Sequence, residues 1–159
     1  MSNGYPLDRL IGIRERRYEQ MTAQRRHQQQ VLQQTLKELE NTRQELSAFL
    51  AFREKEIERR YAEIMDCVRT QEEIADFNSG LSQLYEKEVQ FRTELRGLEK
   101  KAEEERLALK RAEEQVVRAH KAVEKLESHK VIWLSGQKRL MEYRADLEME
   151  DFRVKKPEY

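Results

Sequence analysis

The chain has 159 residues, of which 39% are charged and 38% hydrophobic, with only five glycines and two prolines. This composition excludes a round core of several layers and favours one long apolar stripe flanked by solvated charge. The 31 basic and 31 acidic side chains balance, so no overall field attracts nucleic acid or an anionic membrane. No run reaches the ~18 apolar residues of a membrane span, and the single cysteine, Cys67, excludes an intrachain disulfide. We therefore expect a soluble, cytoplasmic protein.

The N-terminal part is predicted to be one long helix. Residues 1–6 are predicted to form a short polar tail, and Pro6 is tolerated beside a first turn because its missing N–H would be unpaired there. No residue between 7 and 65 forces a stop, so the first helix is predicted over 7–65. The apolar positions along this helix are sparsest in the glutamine- and arginine-rich stretch 24–34. Over the whole helix they are Leu7, Leu10, Ile11, Tyr18, Met21, Leu32, Leu36, Leu39, Leu46, Leu50, Ile57 and Ile64.

The chain is predicted to reverse in a connector over 66–80, with or without a short helix inside it. One candidate break lies at 66–70, where Thr70 followed by Glu73 has the pattern of a capping box. The other lies at 78–80, where Asn78, Ser79 and Gly80 are turn-forming residues. The residues alone leave both breaks open.

The C-terminal part has the strongest pattern in the chain, because its apolar residues alternate three and four apart from Ile74 to Val154. A second long helix is predicted over 81–150, with a tail at 151–159, and roughly its last ten residues should project beyond the first helix. Long helices joined by a short connector fold back on each other, so the predicted fold class is all-α: a long two-helix antiparallel coiled-coil hairpin. The apolar stripe consists of Ile74, Phe77, Leu81, Leu84, Phe91, Leu95, Leu98, Ala102, Leu109, Ala112, Val116, Ala119, Val123, Leu126, Trp133, Leu140, Leu147 and Val154.

No motif for catalysis is present. The histidines His27, His120 and His129 lack metal-ligand spacing, and there is no glycine-rich phosphate loop. A two-helix rod also has no concave pocket in which to desolvate a substrate. We therefore expect no enzyme activity, no metal site and no cofactor.

Two groups of side chains are candidates for contact with partners. The arginines near the N-terminus are most simply a solvated helix face, or they meet an acidic protein surface; nucleic acid is disfavoured by the neutral net charge. Several aromatic residues fall off the strict stripe, and Phe152 is the best candidate because it lies where the second helix should project. The arginines are Arg14, Arg16, Arg17, Arg25 and Arg26, and the aromatic residues are Phe49, Phe52, Tyr85 and Phe152.

Three stretches resemble one protein family. Residues 5–17 are YPLDRLIGIRERR, similar to an R-L-x-x-[VIL]-R-E-R-R opening, and residues 81–88 are LSQLYEKE, similar to an L-x-x-L-R-E-K-E element. Near the end, MEDF at 149–152 and KPE at 156–158 are similar to the tail of the flagellar protein FliJ. Together these stretches resemble the YscO-type proteins of type III secretion systems. Phe52 stands where that family commonly has tryptophan, and Tyr85 where it has arginine.

The resemblance implies a non-catalytic central stalk. Such a stalk binds and stimulates the hexameric export ATPase, links it to the cytosolic domain of the export-gate protein and, in some systems, binds substrate chaperones. The resemblance also implies a monomer at the cytoplasmic base of a secretion apparatus. By position it assigns ATPase binding to Leu10, Arg14, Arg17, Met149 and Phe152, and export-gate binding to Phe77, Leu81, Leu84 and Glu88. Phe77, Leu81 and Leu84 of the second set also belong to the predicted stripe, and Glu88 fills one of its polar positions.

Two other function classes fit the same pattern. A generic coiled-coil adaptor or scaffold would pair between chains as a long dimer, whereas the stalk is expected to be a monomeric hairpin. A helical arm that binds nucleic acid is the third class, and the balanced charge disfavours it. Solution mass separates the first two classes.

Overall fold

The computed structural model describes residues 4–154 and is an all-α helical hairpin. Helix α1 spans Asp8–Met65 and helix α2 spans Gln71–Val154. Along the described residues, neither helix has a stretch that is both long enough and apolar enough to cross a membrane. The two long helices confirm the predicted fold class, an all-α helical hairpin.

The connector between the helices is shorter than the predicted 66–80. It ends at Thr70, because the capping box forms: the N–H of Glu73 donates to Thr70 Oγ1 at 3.2 Å, and the N–H of Thr70 donates to Glu73 Oε2 at 3.4 Å. Helix α2 thus begins at Gln71, ten residues before the predicted Leu81. The alternative break at 78–80 is not used, and those residues are helical.

Gly80 has a packing role rather than a turn role. Its backbone has no positive φ. A Cβ at this position would lie 2.8 Å from Nη1 of Arg60, so the absent side chain leaves room for the guanidinium of α1. Glycine here permits a close approach between side chain and backbone inside a helix.

Helix α2 also ends later than predicted. It continues to Val154, four residues into the predicted tail at 151–159. The expected stop at Pro157, the rest of that tail and residues 1–3 lie outside the described residues.

Contacts between α-carbons divide the chain into two units, which we call the terminal unit, Met1–Arg25 with Arg111–Tyr159, and the central unit, Arg26–Lys110. In the terminal unit the helices run antiparallel. The rings of Tyr18 and His120 lie 5.3 Å apart, and Nη1 of Arg14 donates to the carbonyl of Ala122 at 3.1 Å. The buried side chains are Tyr5, which precedes α1, Ile11 of α1, and Ala112, Val116, Ala119, Val123 and Leu126 of α2.

The helices of the central unit are antiparallel as well. Phe49 of α1 packs against Phe91 of α2 with ring centroids 5.5 Å apart, and Nη2 of Arg43 lies 3.5 Å from a carboxylate oxygen of Glu99. Phe49 is buried, which differs from the interpretation that it is free for partner contact. The buried side chains are Leu32, Thr35, Leu39, Thr42, Leu46, Phe49, Leu84 and Ala102.

The predicted apolar stripe of α2 is covered over only part of its length. It faces α1 from Phe77 to Trp133, where its side chains are buried or half-buried. Ile74 near the connector is exposed, and so are Leu140, Leu147 and Val154 near the other end. A regular stripe in the sequence therefore predicts a helix that can pair along its whole length, but α1 is too short to cover it.

Candidate docking surface on the free end of helix α2

A small aromatic cluster marks the place where α1 stops covering α2. Tyr5, only 4% exposed, packs with Ile11 and Leu126, and Leu10 and Trp133 lie against this cluster. The Tyr5 ring meets Trp133 edge-on at 5.6 Å, and its hydroxyl is hydrogen-bonded to Nδ1 of His129. Tyr5 is thus tied to α2.

An ion pair beside the cluster fastens the same point. Nζ of Lys130 donates to Oδ1 of Asp8 at 2.7 Å, and this hydrogen bond raises the pKa of Lys130. Asp8 is the first residue of α1, and its N–H donates to the carbonyl of Tyr5 at 3.2 Å. An acidic residue also suits the positive end of the helix dipole.

Beyond Trp133, every residue of α2 is exposed. We call residues 134–154 the free segment; it continues for 21 residues without a facing part of α1. The predicted projection of roughly ten residues was therefore too short. Several side chains that remain uncovered here are large and apolar, with exposed fractions of 61% at Met141, 63% at Met149 and 70% at Phe152.

The apolar side chains of the free segment form two stripes. The first consists of Leu140, Leu147 and Val154 and continues the predicted stripe of α2 beyond Trp133. The second lies about 100° around the helix, since successive helical residues turn by about that angle. It consists of Leu134, Met141, Ala145 and Phe152. Shallow grooves lie beside it. Gly4 and Trp133 line the first together with Leu134, Met141 and Ala145, and Ala145, Met149 and Phe152 line the next.

Charge is distributed unevenly along the free segment. Its first part has Lys138 and Arg139, whereas its last part has Glu148, Glu150 and Asp151. Exposed apolar surface bordered by charge is typical of a protein-binding site rather than of a solvated helix face. The arrangement offers recognition, and it brings no nucleophile and base together.

The residues expected to bind the ATPase do not form one site. Leu10 is half-buried in the aromatic cluster, Arg14 is bonded to the Ala122 carbonyl, and Arg17 is exposed on α1. Met149 lies 23 residues after Leu126 along α2, about 35 Å at ~1.5 Å per residue. The structure thus places Met149 and Phe152 together and separates them from the three residues of α1.

The residues expected to bind the export gate face α1. Leu84 is buried, Phe77 and Leu81 are half-buried, and the Phe77 ring meets Tyr61 at 5.0 Å. The Glu88 carboxylate is bonded to Arg53 of α1 and accepts a hydrogen bond of 2.9 Å from Arg92, and these bonds lower its pKa. A partner reaches these side chains only where the two helices separate.

Sequence reasoning missed two features of the paired region. Tyr5 was assigned to a polar tail, although an aromatic residue directly before Pro6 and a helix start is a signal for packing against that helix. The contact between Arg53 and Tyr85 is the second feature: the guanidinium lies 5.1 Å from the ring centre and holds the exposed Tyr85.

Comparison with known proteins identifies the family. A family model described as type III secretion protein YscO matches residues 7–155. The chain belongs to the YscO family. The resemblance of its short motifs to YscO-type proteins is therefore confirmed, and so is its assignment to type III secretion.

A solved member of the YscO family has a similar fold. The crystal structure of type III secretion protein YscO from Vibrio parahaemolyticus is 23% identical, covers 92% of both chains and superposes with a TM-score of 0.85. A likeness at this identity shows the fold alone. The comparison with curated proteins found no match.

Proposed function

We propose that this YscO-family protein is the non-catalytic central stalk of a type III secretion system, binding and stimulating the hexameric export ATPase. The observation that carries the proposal is the free segment, which presents uncovered apolar side chains on a single helix. A single helix is narrow enough to enter a central pore, and a partner that covers Met149 and Phe152 removes large apolar surface from water. Family membership supplies the secretion system in which that partner lies.

The proposed ATPase contact divides into binding and positioning roles. Met149 and Phe152 enter the ring, because they are the exposed apolar residues near the end of the free segment. Leu10 and Arg14 act indirectly by holding α1 against α2: Leu10 packs against the aromatic cluster, and Arg14 donates to the carbonyl of Ala122. Arg17 is exposed and can meet an acidic surface of the ring.

We propose the export gate as the second partner, through Phe77, Leu81, Leu84 and Glu88. Contact with these residues requires α1 and α2 to separate near the connector. Ion pairs support such opening, because Arg53 and Glu88 occupy core-facing positions where apolar residues would otherwise pack. Water can solvate the separated charges, so opening costs less there than in an apolar stretch. Substrate chaperones are a further proposed partner, and the proposed location is the cytoplasmic base of the apparatus.

The experiment that tests the stalk is hydrolysis by the ATPase of the same secretion system with and without this protein. We expect wild-type protein to raise the rate and to promote ring assembly. The double variant Met149→Ala/Phe152→Ala should weaken the stimulation roughly tenfold or more, since truncating anchor residues at an interface costs about 2 kcal/mol.

A matched control removes similar side chains elsewhere. Val117 and Val131 are exposed apolar residues of α2 outside the free segment, and Val117→Ala/Val131→Ala should stimulate like wild type. The proposal fails if wild-type protein changes neither hydrolysis nor assembly. It also fails if the two double variants behave alike.

A further inference from the structure

We propose that the free segments of two copies of this chain pair with each other in antiparallel orientation. The pairing surface is the second apolar stripe, which contains Leu134, Met141, Ala145 and Phe152. These residues are exposed in the described chain, and α1 ends before it could cover them. The proposed occupant of this face is a second copy, because the spacing and the charge of the stripe match those of an identical helix in reverse.

The spacing of this stripe is that of a coiled coil. Lys138 and Glu148 complete it, so that Leu134, Lys138, Met141, Ala145, Glu148 and Phe152 follow one another at intervals of four, three, four, three and four. Such alternation keeps one side of a helix facing a partner helix over its length. The stripe that continues from Trp133 is less suitable, because its polar positions Gln137, Arg144 and Asp151 do not pair opposite charges, whereas Lys138 and Glu148 do.

The intervals of the stripe are four, three, four, three and four from either end. Two identical helices in antiparallel orientation can therefore place their stripes face to face. With Leu134 placed opposite Phe152 of the second copy, Met141 lies opposite Ala145, a small residue beside a long one. In the same register Lys138 lies opposite Glu148 of the second copy. A twofold axis repeats each of these pairs, so the interface is self-complementary.

Charge along the free segment favours the antiparallel orientation. The basic part around Lys138 and Arg139 meets the acidic part around Glu148, Glu150 and Asp151 of the second copy. A parallel pair would place like charges side by side. Near the twofold axis, Glu142 lies beside Glu142 of the second copy, and Arg144 lies beside Arg144 of the second copy. These like charges repel each other, and the paired segment is short, so the association is weak and reversible.

Pairing has a consequence for the proposed stalk. The paired form covers Phe152, the residue proposed to enter the ATPase ring, so the two interactions exclude each other. This consequence rests on the proposed function, whereas the pairing itself does not. The monomer expected from the sequence is then the form at low concentration.

Sedimentation equilibrium of the full chain tests the pairing. Protein concentration is varied from micromolar to near-millimolar at low salt, and a reductant prevents the exposed Cys67 from forming a disulfide between chains. We expect a reversible monomer–dimer equilibrium. Lys138→Glu and Glu148→Lys should each weaken dimerisation roughly tenfold, because each reverses the charge of two symmetry-related pairs. The double variant Lys138→Glu/Glu148→Lys restores both pairs and should return the dissociation constant to near the wild-type value.

The rescue separates specific pairing from a general effect of charge. Lys125→Glu changes an exposed lysine outside the free segment and should leave dimerisation unchanged, and thermal unfolding by circular dichroism checks that every variant stays helical. A chain that is monomeric at all concentrations overturns the proposal, and so does a dimer that the double variant fails to restore. Either result leaves the ATPase experiment, and thus the stalk, unaffected.

Discussion

At the scale of single residues, Tyr5 contacts both helices although it lies outside them. It precedes α1, yet its side chain is buried between the two helices and bonded to His129. An aromatic ring in such a position contributes both apolar burial and the orientation of its hydroxyl. The start of α1 is therefore anchored by tertiary contact and not by helix propensity alone.

Removing this anchor should destabilise the terminal unit. Tyr5→Ala is expected to lower the free energy of unfolding by about 2–3 kcal/mol, since it leaves a cavity beside Ile11 and Leu126. Tyr5→Phe keeps the ring and should cost about 1 kcal/mol for the lost hydrogen bond. Urea unfolding followed by fluorescence of Trp133, the single tryptophan, measures both.

Tyr143 offers the matched control for that change. It is exposed in the free segment, and Tyr143→Ala should leave the unfolding midpoint unchanged. Equal midpoints for Tyr5→Ala and Tyr143→Ala would show that the Tyr5 contacts do not stabilise the folded chain.

At the scale of elements, helix α1 holds a compact ion-pair group near the connector. Glu56 accepts hydrogen bonds from Arg59 one turn along, at 2.5 and 3.0 Å, and from Nε of Arg60 at 2.9 Å. The Arg59 hydrogen bonds, with those of Arg60, lower the pKa of Glu56 from 4.5 to about 2. These contacts follow from the i,i+3 and i,i+4 neighbours of a helix and need no second helix.

The lowered pKa determines how stability depends on pH. Because the folded state favours the Glu56 carboxylate, its contribution is present above the unfolded pKa of 4.5 and is lost as pH falls towards about 2. We expect Glu56→Gln to flatten the fall in melting temperature between about pH 5 and about pH 2. Thermal unfolding by circular dichroism across that range measures the slope, with the exposed Glu104→Gln as a control that should keep it. Parallel curves for wild type and Glu56→Gln would contradict the prediction.

At the scale of the whole molecule, the hairpin separates a paired region from a region left for partners. The paired region ends at the cluster of Tyr5 and Trp133, and the free segment follows. Only the paired region buries apolar side chains between α1 and α2. Its stability should therefore be independent of the free segment.

Shortening the chain tests this independence. A chain ending at Gly136 should unfold with a free energy within about 0.5 kcal/mol of wild type, because the removed side chains are exposed. Removing residues 1–7 instead should destabilise clearly, since Tyr5 leaves with them. Urea unfolding of both shortened chains decides the point, and a large loss of stability in the chain ending at Gly136 would refute it.

The sequence by itself determined the helices and their reversal. Helix propensity and the three-four spacing are local properties, so they predicted a stripe from Ile74 to Val154, and the capping-box pattern at Thr70 marked one of two candidate breaks, which is the one that forms. The family motifs likewise lie in short stretches that can be recognised without structure.

Only the tertiary structure decided which apolar residues are covered. Burial depends on the residue that stands opposite, and this follows from where α1 begins and where the connector turns. For that reason Phe49 and Tyr5 are buried against expectation, whereas Leu140, Leu147 and Val154 fit the stripe and remain exposed. The free segment exists because α2 is longer than its partner helix, and a repeating pattern within one helix contains no information about where the other helix stops.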